Sequence, residues 1–485
     1  MPAYLTVPPL SFLSLEETAD LVVTAVTITN LKFKEFSEET ENALQCVADY
    51  LSVLPPNISE EFLHYILRIE EFDPIVRYWA LKFFLQPHTR ALIIGMFPET
   101  YYTRLVEVII LQGAGLQVLD LKGVWLNHES SHLLQTILEN IQNLTTLNIP
   151  HMANDTVLET IGLHNESLQM MDISGDCSIT ERGTSLLCSN QALAASLQIL
   201  NVGNPGGEEV EPFAIAQFIK KLPNLISLGP YAHVGKAIVH LISEGDTKEL
   251  KTNLQHVHDT NTDIKTAKII IETCPKLQSL YLDQPNENVI PLFQAMSKLD
   301  QIKLHKFQCD ELKPLLSKIG SSVRSLELIL GAGILDLSMI GMTCPQITKF
   351  ICYKIEIIRH FEQVSFEHLV RLGIFYSDIS VSCIKYILSS AQKLEELSIG
   401  DLIDISDADI HEILSHTVRE NLRDVWFPNA RNLTTQSVQC FIENCPNLRS
   451  LGELSGWDLS PSDVTDFRAA IQAENIDLRL WEFFG

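Results

Sequence analysis

The 485-residue sequence predicts an α/β solenoid, with parallel strands lining one side and helices the other. Three observations carry that prediction. A Leu-x-x-Leu-x-Leu pattern begins at Leu116 (LQVLDL) and returns at Leu144, Leu168, Leu197, Leu225, Leu254, Leu277, Leu299, Val323, Ile347, Leu369, Leu394, Leu422 and Leu448, in steps of 22 to 29 residues. Between these segments the apolar residues take helical spacing, as in Ile264, Ala267, Ile271 and Cys274 or Val438, Phe441, Ile442 and Cys445. Finally, the chain is too long for one ordinary globular core, yet 46% of it is apolar, which a core that extends by stacking can absorb.

Each element follows in order. Residues 1–105 carry no repeat; helical patterning places Leu63, Ile66, Leu67, Val76, Leu81 and Leu85 in a core and predicts a helical N-terminal region. Residues 106–485 then form about fifteen strand–loop–helix units. The last two apolar positions of each hexamer alternate as on a strand, so one face is buried and the x positions look outward. Ser406 and Asp409 ahead of Ile410, Ile413 and Leu414 form a capping box. At the C-terminus, a helix over 461–473 and the strand Ile476–Trp481 read as a fifteenth unit, with Trp481, Phe483 and Phe484 covering the last open face of the core. The class is a ribonuclease-inhibitor-like leucine-rich-repeat horseshoe.

Charge and cysteine usage narrow the function. Lys and Arg number 35 against 61 Asp and Glu, a net charge of −26, which repels phosphate backbones and argues against nucleic acid or anionic membrane as a general partner. Met1–Leu21 lacks a basic start and is interrupted by Glu16, Glu17 and Asp20, so neither a signal peptide nor an anchor is expected. The ten cysteines are scattered and read as reduced packing residues, which points to the cytoplasm or nucleus.

Some units carry a narrower signature. Cys274-Pro275-Lys276-Leu277, Cys344-Pro345-Gln346-Ile347 and Cys445-Pro446-Asn447-Leu448 each end a helix and begin a strand, and Cys177–Gly183 leads from a strand into a helix. Over roughly residues 110–485 this resembles the cysteine-containing leucine-rich repeats of F-box/leucine-rich-repeat ubiquitin-ligase substrate receptors. Within the N-terminal region, Leu54-Pro55-Pro56-Asn57-Ile58 followed by Leu63, Ile66 and Trp79 resembles a degenerate F-box, short between Leu54 and Trp79 and preceded by some 50 residues. That resemblance implies binding of a Skp-type adaptor through Leu54, Pro55, Ile58, Leu63, Ile66 and Trp79. A second resemblance, to elongin-binding receptors, places the adaptor on a helix over Leu13–Val26, which lacks the usual cysteine. The plain alternative is a helical cap that only shields the first repeat.

A search for catalytic chemistry finds little. In His411–His416 the two histidines lie five apart, on different sides of a helix, where zinc-protease ligands lie four apart on one side. No Cys-x-x-Cys pair, phosphate-binding loop or nucleophile elbow occurs. No enzyme activity, metal or cofactor is expected. The outward positions are the candidate site. In the first repeats they are small or polar, including Gln117, Asp120, Asn148, Asp172 and Asn201. From the middle onward they turn basic and aromatic: His256, His258, Tyr281, Lys303, His305, Arg324, Lys349, Tyr353, Arg371, Phe375 and Trp426, with Asp283, Glu327, Glu395 and Glu396 on the same face. Such a track suits a protein partner with an acidic or phosphorylated segment. Three function classes remain in view: a substrate-recruiting ligase subunit, a binding or inhibitor scaffold without a ligase, and a GTPase-activating repeat protein, the last lacking the acidic tail common in that group.

Overall fold

The computed structural model describes residues 10–33, 35–126, 131–204, 210–243, 250–359, 365–400, 403–415 and 420–483. They form two compact units, Pro8–Leu254 and one running from Gln255 to the C-terminus.

The first unit opens with four helices, α1 (Leu10–Lys32), α2 (Glu38–Leu51), α3 (Pro56–Arg68) and α4 (Pro74–Phe84). Helices α3 and α4 start where proline occupies the first turn, whose N–H would be unbonded in any case. Phe62, Leu63, Ile66, Trp79, Leu81 and Phe84 are buried between them. Strand β1 (Ala91–Ile93) follows, inside the stretch expected to be wholly helical. It begins a five-stranded parallel sheet in chain order with β2 (Val118–Asp120), β3 (Thr146–Asn148), β4 (Met170–Asp172) and β5 (Ile199–Asn201). Helices α5 (Tyr102–Gln112), α6 (Ser131–Asn140), α7 (Asp155–His164) and the pair α8 (Glu181–Leu187) and α9 (Gln191–Ser196) alternate with these strands; α10 (Pro212–Lys221) and α11 (Val234–Ser243) come after them. The repeat at Leu225 adds only a parallel bridge from Ser227 to Ile199.

An edge strand exposes unpaired backbone groups. Helix α3 covers those of β1: Glu60 Oε1 accepts from the N–H groups of Arg90 and Ala91, and His64 Nε2 sits 2.9 Å from the Ala91 carbonyl. Helix α3 therefore closes this edge of the sheet through two side chains, Glu60 and His64.

In the second unit a ten-stranded parallel sheet comprises β6 (His256–Thr260), β7 (Ser279–Asp283), β8 (Gln301–His305), β9 (Ser325–Ile329), β11 (Lys349–Tyr353), β13 (Arg371–Phe375), β15 (Glu396–Gly400), β16 (Asp424–Trp426), β17 (Ser450–Gly452) and β18 (Arg479–Leu480). Three short strands, β10 (Ile334–Asp336), β12 (Glu356–Ile358) and β14 (Asp378–Ile379), make a second parallel sheet where helical elements are short. The outer segments include α12 (Ile264–Thr273), α13 (Leu312–Ile319), α14 (Leu337–Thr343), α15 (Val381–Ser390), α16 (Asp407–Ser415), α17 (Thr435–Asn444) and α18 (Pro461–Ala473). Strand β18 makes the predicted fifteenth unit, and Ile476, Leu478 and Leu480 are buried. Phe483 is 70% exposed and covers nothing, while Phe484 lies outside the described residues. The buried face of α12 is Ala267, Ile270 and Cys274; Ile264, expected to share it, is exposed in the first turn.

Sequential parallel strands separated by outer helices make each unit a leucine-rich-repeat stack. The hexamer residues supply the core: Leu119, Leu147, Met171 and Leu200 in the first sheet and Leu280, Ile302, Leu326, Phe350 and Leu372 in the second are at most 1% exposed. Fully burying one such side chain contributes about 2 kcal/mol. Cys274, Cys344 and Cys445 are fully buried where helix meets strand; burial pushes the Cys344 thiol up to about 11.

Polar side chains tie neighbouring repeats together. Asn224, Asn253, Asn421 and Asn447, each just before the first leucine of a hexamer, donate to a carbonyl of the preceding repeat at 2.6–2.9 Å. Asp155 at the start of α7 accepts from Thr180 N–H (2.8 Å) and Oγ1 (2.6 Å), the N-cap of α8. Asp407 accepts in the same way from Thr434, the N-cap of α17, and from Ser437. Each contact satisfies helix-end groups that would otherwise need water. The expected capping box at α16 is present: Ser406 N–H donates to Asp409 Oδ2 at 2.9 Å, and Asp409 N–H to Ser406 Oγ at 3.4 Å.

Candidate protein-binding face

On the ten-stranded sheet every strand is in register with its neighbours, so the outward positions form rows across it. The first row runs His256, Ser279, Gln301, Ser325, Lys349, Arg371, Glu396 and Asp424. The middle row runs His258, Tyr281, Lys303, Glu327, Ile351, Gly373, Ser398 and Trp426. The third holds Thr260, Asp283, His305, Ile329, Tyr353, Phe375 and Gly400. Arg324 is exposed immediately ahead of β9, outside these rows. The rows therefore bring the residues expected to form one track, Arg324 excepted, onto one sheet face.

They are not a bare basic track. The His258 ring stacks on Tyr281 with centroids 4.0 Å apart and planes 12° apart, and Lys303 Nζ lies 4.6 Å from the Tyr281 centroid. Lys303 is also 3.8 Å from Glu327, whose other oxygen pairs with Lys349. His305 Nδ1 meets Asp283 at 2.6 Å, Arg371 meets Glu396 at 2.9 Å, and Arg423 meets Glu395 at 3.3 Å. Carboxylates noted in the sequence as sharing this face thus hold most of its cations one strand away. Among the described residues Arg324 has no ion-pair partner, so it is the predicted cation left for an incoming acid. Burial, then the nearby Asp283 and Glu327, raise the Tyr281 hydroxyl above its ordinary range and keep it neutral.

The aromatic positions stand apart from these pairs. Tyr353 is 38% exposed and meets Tyr376 edge-to-face at 5.2 Å. Phe375 and Trp426 are half-buried. Trp426 lies over Gly452 on the next strand, where a Cβ would come within 2.0 Å of the indole, and its ring is 6.4 Å from Trp481.

The adaptor motif divides differently. Leu63 and Ile66 are fully buried and Trp79 is 1% exposed, packed against Tyr78 and Phe83. They lie in the core of the helical cap, as helical spacing placed Leu63 and Ile66: apolar helix positions fill the nearest core first. Pro55 remains exposed, and Leu54 and Ile58 half-buried. Helix α1 spans the elongin-type match and is apolar on two sides. Leu15, Ala19, Val22 and Val26 are buried, whereas Leu21, Ile28 and Leu31 are 67%, 60% and 84% exposed. No helix of the described residues is long and apolar enough to cross a membrane, and no group of three metal-ligating side chains occurs among them. His416 lies outside the described residues, so the His411–His416 spacing is not tested.

The residues missed by sequence reasoning lie on the first sheet. Ile93, Met96 and Trp125 are 50%, 61% and 57% exposed, and Trp125 packs on His151 with centroids 5.1 Å apart. Their only sequence signal was an apolar residue at an outward position or just past a strand.

No protein-family model matches the sequence, and a comparison with curated proteins finds no match. Among solved structures the chain is similar to one titled as the complex of Rad7 and Elc1 in yeast, at 13% identity and a TM-score of 0.44, over 92% of this chain and 93% of that one. It is also similar to one from the mouse RP105/MD-1 complex, at 12% identity and a TM-score of 0.34, over 80% and 90%.

Proposed function

We propose that the chain is a protein-recruiting scaffold without catalytic chemistry of its own, serving as the substrate-recruiting subunit of a cullin–RING ubiquitin ligase in the cytoplasm or nucleus. The observation that carries this reading is α1. A helix that buries one apolar side and holds Leu21, Ile28 and Leu31 in solvent has a second face suited to a groove on another protein. It is also the helix that resembles the adaptor-binding element of elongin-type receptors. With Leu63, Ile66 and Trp79 consumed by the core, the reading favours an elongin-type adaptor on α1 over a Skp-type adaptor on Leu54, Pro55 and Ile58.

The recruited protein takes the open face of the ten-stranded sheet. Tyr353, Phe375 and Trp426 are the anchors, since aromatic residues contribute large contact area for little lost entropy. An acidic or phosphorylated segment gains most at Arg324 and competes with Glu327 and Glu396 elsewhere. Cys309, Cys344, Cys352 and Cys383, buried as thiols, fit a reducing compartment.

The test is co-purification of the full chain with elongin-type and Skp-type adaptors. Capture of the elongin type, lost with Leu21→Asp and Ile28→Asp and kept with Leu54→Ala and Ile58→Ala, supports the proposal. The reverse pattern moves the adaptor to the F-box-like stretch. Capture of neither leaves a binding or inhibitor scaffold unrelated to ubiquitin ligation.

A further inference from the structure

The first sheet carries a surface unlike that of the second. The third residues of its strands form the row Ile93, Asp120, Asn148, Asp172 and Asn201. Asn148 Nδ2 donates to Asp120 Oδ2 at 2.8 Å, and Asn201 Nδ2 reaches Asp172 Oδ2 at 3.5 Å. Asn148 is 8% exposed, and its side-chain oxygen, between two carboxylate-bearing strands, accepts no hydrogen bond among the described residues. A buried acceptor left unpaired costs about 1–3 kcal/mol. The nearby cation, Lys122 Nζ, stands 3.6 Å from Asp172, beyond hydrogen-bond range, with its side chain 55% exposed.

Just past the strand ends lies an aromatic platform. His151 has a left-handed backbone, φ 63°, and its ring lies across Gly175, where a Cβ would come within 2.3 Å. The Asp176 N–H donates to His151 Nδ1 at 2.9 Å, and Asn204 Nδ2 fixes the Asp176 carboxylate at 2.6 Å. Trp125 rests on the ring so held, with its outer surface in solvent.

We propose that this face of the first sheet binds an arginine-bearing segment of a protein partner. A guanidinium offers five donors in one plane, more than the one ammonium of Lys122, 3.6 Å from Asp172, supplies to this row of carboxylates. Its flat face also stacks on an exposed indole. Asp120, Asp172 and Asp176 outnumber Lys122 here, so the local field selects a basic segment and rejects a phosphorylated one. The site is separate from α1 and from the ten-stranded sheet, so it stands or falls independently of the ligase reading.

The test uses the full chain and a fluorescein-labelled peptide alternating arginine and leucine, followed by anisotropy. Asp120→Asn with Asp172→Asn, and separately Trp125→Ala, should each weaken binding tenfold or more. Asp466→Asn with Glu474→Gln, which removes equal charge at and just after α18, should change it less than twofold. A glutamine-for-arginine peptide should not bind. Trp125→Ala alters only an exposed side chain, so its outcome does not depend on the ladder variants folding. Losses under threefold in the site variants, losses in the control equal to theirs, or equal binding of the glutamine peptide would each overturn the proposal.

Discussion

Asp172 in β4 and Glu327 in β9 occupy the same place in their strands, the third residue, and meet different neighbours. In register with Glu327 stands Lys303, and Lys349 reaches it from the first row, so the carboxylate closes two cations of its own chain. Asp172 is flanked in register by Asn148 and Asn201, accepts from the Ser174 N–H and hydroxyl, and has one cation nearby, Lys122 at 3.6 Å. The second sheet pairs most of its charges within the chain, Arg324 excepted; the first retains an unpaired acceptor and acidic charge. Net composition on a face is therefore a poor guide to what the face can bind, because pairing within the chain is decided by register.

A similar contrast runs through the backbone. In the second unit Asn261, Gln284, Lys306, Leu330, Lys354 and Tyr376 each follow a strand at once with φ between 48° and 57°. In the first, the left-handed positions past the strands are His151, Gly175, Gly203 and Gly229. The amide of each second-unit residue from Asn261 to Lys354 donates to the next strand, at 2.8–2.9 Å, and this bonding offsets the strain of a side chain there.

The largest expected effects probe what the sheets share. Leu147→Ala in the first and Leu328→Ala in the second, both fully buried, should each cost about 3 kcal/mol in urea denaturation; a cost confined to one of them would break the claim of a common core. Next, Gly175→Ala should cost about 2 kcal/mol, because it forces a Cβ into the His151 ring at φ 87°, while Leu330→Gly should cost nothing or gain up to about 0.5 kcal/mol by relieving strain. Equal losses at both would erase the backbone contrast.

Asp407→Ala should cost about 1 kcal/mol by leaving Thr434 and Ser437 without their acceptor. Burial alone would raise the Asp407 carboxyl, but hydrogen bonds from Ser437 and Thr434 outweigh it and hold the group below its ordinary value. Its contribution is thus complete above about pH 4 and lost as pH falls through the lower folded value. Acid melts of the wild type and Asp407→Ala should converge below that range. The smallest effect is Glu327→Gln, under about 1 kcal/mol in stability and reduced by salt. It should nonetheless release Lys303 and Lys349 and strengthen capture of a labelled polyglutamate peptide, sharpening the contrast between the faces.

Much of this fold was legible in the sequence. Each hexamer from Leu116 to Leu448 coincides with a strand or, at Leu225, a bridge, because period-two burial leaves a direct trace. Strand β1 escaped notice since Ala91-Leu92-Ile93 lacks the hexamer, and its edge is closed by Glu60 and His64, far away in sequence. The shared face of the basic and aromatic residues was also legible. The ion pairs that occupy them were not, as they depend on which strand lies beside which. Leu63 and Ile66 were legible as core from helical spacing, while the apolar motif they form with Trp79 reads the same whether it packs or docks. Trp125 had no periodic signal at all.

The contrast between the two faces is tested most directly by titrating the arginine–leucine peptide into two full-length variants side by side. One carries Asp120→Asn and Asp172→Asn on the first sheet, the other Glu327→Gln and Glu396→Gln on the second. The account predicts at least a tenfold loss in the first variant and less than a twofold change in the second. Equal losses, or a greater loss in the second, would contradict it.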